Sequence, residues 1–327
     1  MLNTDFFHTQ LPARPMGRYA HIVLLRVTEG YALFQTDGEL NRARVAAGEI
    51  NPQPMTRIAL FKRKQTTPER LNGRELLRNY GLLSTSEDEK DENSCIYNVK
   101  ACRKCPDCIT YGFAIGDGGS EKSKVYADTA FSLTDYAVSH EVFTLNAPYE
   151  DGTMSHQGEV ASRINSQDHV KPQVIFPAVI TTRDLTASLF GYVLGNVLRT
   201  TRYGATTTRG GTVRNHIAAI ILSDGEIFSN LLFTQRLHDH LQPNGNDPVP
   251  VRDALAAAEQ IIPTLLEEEP VGSQQVLMGE ELTTFLESMS RMDEDSIRGM
   301  LSGASQEAGA YHQSYIAKVS RSKSRGS

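Results

Sequence analysis

Two stretches of this 327-residue chain concentrate side chains that could do chemistry. The first is Arg199–Asn215, reading RTTRYGATTTRGGTVRN. Its arginines, Arg199, Arg202, Arg209 and Arg214, are interleaved with Thr200, Thr201, Thr206, Thr207 and Thr208, and with Tyr203, Gly204, Gly210 and Gly211. Arginine forks bring charge and paired donors to phosphate, while threonine hydroxyls and backbone N–H groups donate to its oxygens. Glycine lets the backbone come close. One such arginine would be an ordinary surface residue, but four in sixteen residues, with no acid among them, point to a grip on a nucleic-acid backbone. No GxxxxGK[ST] segment is present, so the stretch is not a nucleotide-binding P-loop.

The second is the cysteine run. The chain's four cysteines, Cys95, Cys102, Cys105 and Cys108, follow the spacing C-x6-C-x2-C-x2-C. Outside an oxidising compartment such a cluster argues for metal rather than disulfides. Four thiolates complete a tetrahedral zinc shell with no open position, which is a structural role. The spacing is tighter than that of a zinc ribbon, so His140 or His156 could replace one cysteine. An iron–sulfur cluster is the rival reading, and unliganded thiols a third. Zinc here would pin a small insert that lacks its own core.

Other candidates carry less. Asp37 and Glu39, in QTDGEL, could bind a metal beside a phosphate, although Asp-Gly is also an ordinary turn. Met154, in EDGTMSHQG, lies in a long turn-rich stretch and could wedge between bases or touch a neighbouring subunit. The histidines are scattered, His238 and His240 included, and GxSxG and HExxH are absent.

Several elements must position these residues. His21–Phe34 reads as two apolar β-rich runs broken at Glu29-Gly30, a hairpin or bent strand. Arg57–Lys64 is a strand candidate, with a helix over Glu69–Tyr80 after Pro68. Ser84–Ser94 is an acidic solvated loop. Lys124–Leu133 is partly strand, and 146–171 suggests a projecting arm. Gln173–Thr181 is a strand whose Pro177 marks an edge or bulge. A helix over Leu185–Leu198, capped by Asp184 or Thr182, leads into the arginine loop, and Thr212–Ser223 returns as a strand. That unit is half of a ferredoxin-like or RRM-like βαββαβ sheet in an α+β fold, and 57–80 could belong to the other half. From Val251 onward three helices are expected, over 251–262, 280–292 and 295–320.

The net charge of −6 appears unfavourable for nucleic acid until it is mapped. Residues 247–307 carry 13 acids against Arg252, Arg291 and Arg298, and the tail 308–327 carries Lys318, Arg321, Lys323 and Arg325 with no acid. Residues 1–246 therefore balance, and the segments 57–78 and 181–216 within them are basic. Patches rather than net charge attract phosphate. No apolar run of about 18 residues predicts a membrane span. The N-terminus has no secretory pattern, so the cytoplasm is the expected compartment.

Read together, the motifs resemble a known family. Cys105-Pro-Asp-Cys108, the aromatic-Gly pair after it, Ser123-Lys-Val and Asp128, followed by Tyr203-Gly204 through Arg209-Gly210-Gly211, resemble the RAMP proteins of CRISPR effectors. The resemblance spans about residues 18–230, and the wording is most similar to the backbone subunit of type I-D Cascade complexes. Gly211-Thr212 departs from the more usual aromatic-Gly that follows the Arg-Gly pair. The resemblance implies an RRM-like palm in two halves (1–94 and 173–246), a zinc finger insert (95–135), a thumb arm (136–172) with Met154, and an acidic helical region with a basic tail (247–327). It implies partners as well: a guide crRNA, target DNA through that guide, further copies of the chain in a helical filament, and other Cascade subunits. Arg202, Tyr203, Gly204, Thr206, Thr207, Thr208, Arg209, Gly210 and Gly211 become guide contacts by this resemblance. Some related backbone subunits cut a target strand, and Asp37 would be the counterpart of their aspartate.

Overall fold

A computed structural model describes residues 2–36, 38–86, 88, 90–91, 94–114, 119–145, 155–156, 159–160, 165–243 and 248–317. Strand β1 (Tyr19–Thr28) is followed by two hairpins, β2–β3 (Gln35–Thr36, Glu39–Leu40) and β4–β5 (Arg42–Ala46, Pro54–Leu60), and by helix α1 (Lys62–Asn79). The cysteine segment leads into α2 (Pro106–Tyr111), the β6–β7 pair (Phe113–Ala114, Ser120–Glu121), β8 (Val125–Ala127), β9 (Ala130–Phe131) and the turn α3 (Tyr136–Ser139). Strands β10 (His140–Leu145) and β13 (Asn165–Val170) form a ribbon that flanks a β11–β12 pair (Ser155–His156, Glu159–Val160). Then come β14 (Ile175–Arg183), α4 (Ala187–Arg199), β15 (Val213–Ser223), α5 (Asn230–Leu241), α6 (Val251–Glu268), β16 (Ser273–Leu277), α7 (Gly279–Ser290) and α8 (Glu294–Tyr311).

The main sheet has five antiparallel strands in the order β16-β15-β1-β14-β8. Its frame is the succession β1–α1–β8–β14–α4–β15, which sets β1 between β14 and β15. Every residue of β1 is buried. Alternate side chains enter two cores: Ala20, Ile22 and Leu24 join that of α1, α4 and α8, and Val23, Leu25 and Val27 that of α5 and α6. A strand buried on both faces reads as one apolar run, and for that reason its sequence could not show how it pairs.

The structure corrects several expectations on that account. His21–Phe34 is no hairpin: β1 is one central strand, and Glu29-Gly30 marks where the chain leaves the sheet. Strand β5 ends at Leu60 and pairs with β4 and β9 outside the main sheet, so only the helix of 57–80 belongs to the frame. That helix begins at Lys62 and contains Pro68. The cap of α4 is Thr186, whose hydroxyl accepts from Leu189 N. Asp184, at φ +54°, instead accepts from the backbone N–H groups of Met16 and Arg18, which pins the N-terminal segment. Helix α5 lies outside the expected elements, and β16 interrupts the region from Val251 onward for which three helices are expected. Pro177 sits where β14 has β1 on one side and no register partner in β8 on the other, as its missing N–H requires. No helix among the described residues is long and apolar enough to cross a membrane.

His21 shows how a polar group is accommodated in this sheet. Its ring bonds Thr181 Oγ1 at 2.8 Å and Ser223 Oγ at 2.9 Å, and burial lowers its pKa from 6.5 to about 4. The unfolded chain therefore binds a proton that the folded chain refuses between those values. The stabilisation is complete above pH 6.5 and is lost as pH falls toward 4. Between about pH 7.5 and pH 5, wild type should lose about 2 kcal/mol more than His21→Gln in urea unfolding. Parallel pH slopes for the two proteins would contradict this.

Candidate nucleic-acid interface and cysteine cluster

The loop between α4 and β15 rests on a buried charge. Arg26 projects from β1 into the core under α1, where its guanidinium donates to Glu69 Oε1 at 2.7 Å, Asn215 Oδ1 at 2.8 Å, Tyr203 Oη at 2.9 Å and Gln65 Oε1 at 3.3 Å. The Arg26 and Glu69 side chains are both 0% exposed. Burial alone would lower the Arg26 pKa, but Glu69 and Tyr203 raise it above its ordinary value. Tyr203 Oη donates to Glu69 at 3.0 Å, and Asn215 Nδ2 donates to the carbonyls of Val197 and Thr200. Both stems of the loop are thereby tied to one cation.

Tyr203 is thus corrected from an expected contact residue to an anchor. Its ring is fully buried, with Arg26 5.0 Å from the ring centroid. The glycines are likewise explained from inside the protein. Gly204 has φ +93°, and a Cβ there would lie 2.5 Å from Leu33 O. At Gly211, φ +77°, a Cβ would lie 2.3 Å from Tyr203 O. These positions need glycine for packing against the neighbouring backbone, whatever binds outside.

Arg202, Arg209 and Arg214 face outward, with Thr201, Thr206 and Thr208. Arg214 is paired with Glu29 at 2.7 Å, and Arg202 Nη1 donates to Gly210 O at 3.1 Å. The Arg209 side chain makes no hydrogen bond or ion pair among the described residues, while its backbone N–H donates to Thr206 O at 2.9 Å. The N–H groups of Thr206, Thr207 and Thr208 have no backbone partner there. Thr206 adopts the left-handed region at φ +49° within this turn. Arg199 stands apart: at the end of α4 it lines an apolar groove with Leu76, Leu198, Glu287 and Met300. Asp37 and Met154 lie outside the described residues.

The four cysteines converge, and their sulfurs all lie within 4.8 Å of one another. Cys95 Sγ is 3.5 Å from Cys108 Sγ and 3.9 Å from Cys105 Sγ, too far for a disulfide. A tetrahedral metal bound at about 2.3 Å sets sulfurs about 3.8 Å apart, so the donor set fits a metal ion. No histidine is needed: His140 instead bonds Asp168 at 2.8 Å. Cys105 caps α2, and the N–H groups of Cys102 and Cys108 point to Cys95 and Cys105 sulfurs at 3.4 Å. Hydrogen bonds with Cys102, Cys105 and Cys108, and the charge of Arg74, lower the Cys95 thiol's pKa. The segment is not a free-standing insert, because all four cysteines belong to the core under α1, α4 and α8. Asp107 fastens it, accepting from Arg70 at 2.9 and 3.0 Å and from Arg74 at 3.0 Å.

A family model, Csc2 CRISPR, matches residues 6–300. The chain belongs to the Csc2 CRISPR family. The crystal structure of Thermofilum pendens Csc2 is similar over 92% of this chain and 90% of its own, at 16% identity and TM-score 0.58. A chain of a CRISPR RNA-guided surveillance complex aligns over 88% of this chain and 99% of its own, at 12% identity and TM-score 0.50. Another, from such a complex before nicking, aligns over 89% and 100%, at 9% identity and TM-score 0.51. At these identities the likeness is one of fold. No curated protein matches the sequence.

In this Csc2-family chain the residues missed from sequence are the supporting ones: Arg26, Glu69, Asn215, Arg70, Arg74 and Asp107. One signal was legible, since Arg26 interrupts the apolar run HIVLL–VT, where a charge needs a buried partner. Glu69→Leu leaves that cation unpaired and should cost about 3–5 kcal/mol in chemical unfolding. Adding Arg26→Met should restore most of the loss. A double variant no more stable than Glu69→Leu would show that no charge pair is at work.

Proposed function

We propose that this chain is the backbone subunit of a type I-D Cascade complex, present in several copies, that grips guide crRNA through its phosphates. By kinking the guide, it leaves the intervening bases free to pair with target DNA. The observation that carries this reading is the outward Arg202 and Arg209 on a turn braced by the buried Arg26–Glu69 pair. Family membership and the surveillance-complex neighbours supply the setting. Residues 1–94 and 173–246 form an RRM-like palm, and the frame β1–α1–β8–β14–α4–β15 supports that assignment. Residues 95–135 are the finger, 136–172 the thumb with Met154, and 247–327 the helical flank and tail.

Helices cover both faces of the palm sheet, so bases cannot stack on its strands as they do on an open RRM surface. The RNA runs along the rim instead. There Arg209 and Arg202, the N–H groups of Thr206, Thr207 and Thr208, and the threonine hydroxyls meet phosphate oxygens. Gly204, Gly210 and Gly211 hold the loop's shape, and Arg214 joins by exchanging Glu29 for phosphate. The metal is zinc, held by Cys95, Cys102, Cys105 and Cys108. Its role is to fasten the finger to α1, with the Arg74 charge offsetting the thiolates.

Arg202→Glu/Arg209→Glu should abolish RNA retention, read as the ratio of absorbance at 260 and 280 nm of the co-expressed complex, while the circular-dichroism melt stays unchanged. Single alanine variants should each reduce the slope of log affinity against log salt by about 1. RNA retained by the double variant removes the loop from the interface. The purified protein should be colourless with one zinc per chain by elemental analysis, and Cys105→Ser should lose both the metal and several degrees of melting temperature. A coloured, iron-containing preparation would replace zinc with an iron–sulfur cluster.

A further inference from the structure

The segment 29–34 lies between the arginine loop and the β10–β13 ribbon and is bonded to both. Toward the loop, Gly211 N donates to Tyr31 O at 2.7 Å and Ala205 N to Leu33 O at 2.9 Å. Toward the ribbon, Ala32 and Val170 exchange backbone hydrogen bonds at 3.1 and 2.8 Å. Tyr31 is therefore fixed at the seam. Its ring meets Phe143 edge-on, with centroids 4.5 Å apart and planes at 90°, and His169 lies 5.2 Å from Phe143. The ribbon register explains the group: Phe143 opposes Gln167 and Glu141 opposes His169, so both rings share the face toward Tyr31.

These rings are not core. Tyr31 is 37% exposed, and Phe143 and His169 are half-buried. Three aromatic side chains at a wet surface serve no packing requirement that aliphatic residues would not meet. Two hydrogen bonds hold them in place. Tyr31 Oη donates to Glu141 Oε2 at 2.8 Å, and His169 Nδ1 donates to the Gln167 carbonyl at 2.9 Å. With Nδ1 so engaged, His169 keeps Nε2 for an outside partner.

We infer that Tyr31, Phe143 and His169 form a nucleobase-stacking site, taking one unpaired base of the RNA strand whose phosphates lie on Arg202 and Arg209. The inference rests on the phosphate reading of the loop and names what the adjoining surface does with the rest of the nucleotide. Every base presents a π face, so the site is tolerant of sequence. The Glu141 carboxylate repels phosphate but accepts from an exocyclic amine, which turns the base rather than the backbone toward these rings. The threonine turn and the aromatic group thereby sort one nucleotide into its two chemistries.

The test uses the full chain and fluorescence anisotropy with two single-stranded oligomers of equal length, one of adenosine nucleotides and one with abasic riboses. Tyr31→Ala and Phe143→Ala should each weaken the adenosine oligomer roughly tenfold to a hundredfold and leave the abasic one unchanged. Tyr31→Phe, which keeps the ring, should restore binding. Equal weakening of both oligomers by Tyr31→Ala would reduce the ring to a prop for the loop, and no weakening of either would mean that no base lies there. Arg202→Glu/Arg209→Glu must weaken both oligomers. If it does and Tyr31→Ala changes neither, the stacking site falls while the phosphate grip stands. A wild-type chain that binds neither oligomer overturns the grip itself.

Discussion

The buried ion pair of Arg26 and Glu69 is the constraint from which the rest of the arrangement follows. Two opposite charges with no exposed surface are tolerable only if their remaining hydrogen-bonding capacity is filled. Gln65, Tyr203 and Asn215 fill most of it, and they come from the helix, the loop and the returning strand. The geometry that satisfies the cation therefore also fixes where the arginine loop leaves the sheet. In a low-dielectric core such a network has little latitude, so the two stems of the loop are held at Tyr203 and Asn215.

Helix α1 serves two clients from adjacent faces. Gln65 and Glu69, four residues apart, lie on one side and reach the loop network. Arg70 and Arg74, offset by about 100° on the helix, lie on the next and reach the cysteine cluster through Asp107 and Cys95. The cysteine segment and the proposed RNA rim are thus mechanically joined through one helix. The cysteines belong to the main core because of that joint, rather than forming the separate insert that their clustering suggests.

The loop itself divides its labour in a way its composition conceals. Glycines that invite a phosphate reading are spent on close contact with the 29–34 backbone and with Tyr203. The aromatic ring is spent on Arg26, and Arg214 on Glu29. What remains exposed is a short turn with Arg202, Arg209, Thr201, Thr206 and Thr208. Helices cover both faces of the main sheet, and the aromatic seam of Tyr31, Phe143 and His169 adjoins this turn.

Much of this could be read from residues in order. Local pattern determined the strand–helix–loop–strand unit around the arginine loop, because a buried strand, an amphipathic helix and a glycine-rich turn each follow from neighbouring side chains. The cysteine spacing pointed to a metal-holding cluster, since four thiols within 14 residues can reach one ion, and the fold brought all four sulfurs within 4.8 Å of one another. Tertiary structure decided what depends on distant partners: that β1 is central rather than half of a hairpin, that β16 joins the sheet from within a helical region, and that Tyr203 turns inward. A burial pattern says that a side chain must leave water but not which surface will cover it. Arg26 and Glu69 stand 43 residues apart, and Arg26 and Asn215 stand 189 apart. No local signal pairs such residues; only the folded chain brings them together, by the requirement that a buried charge be met.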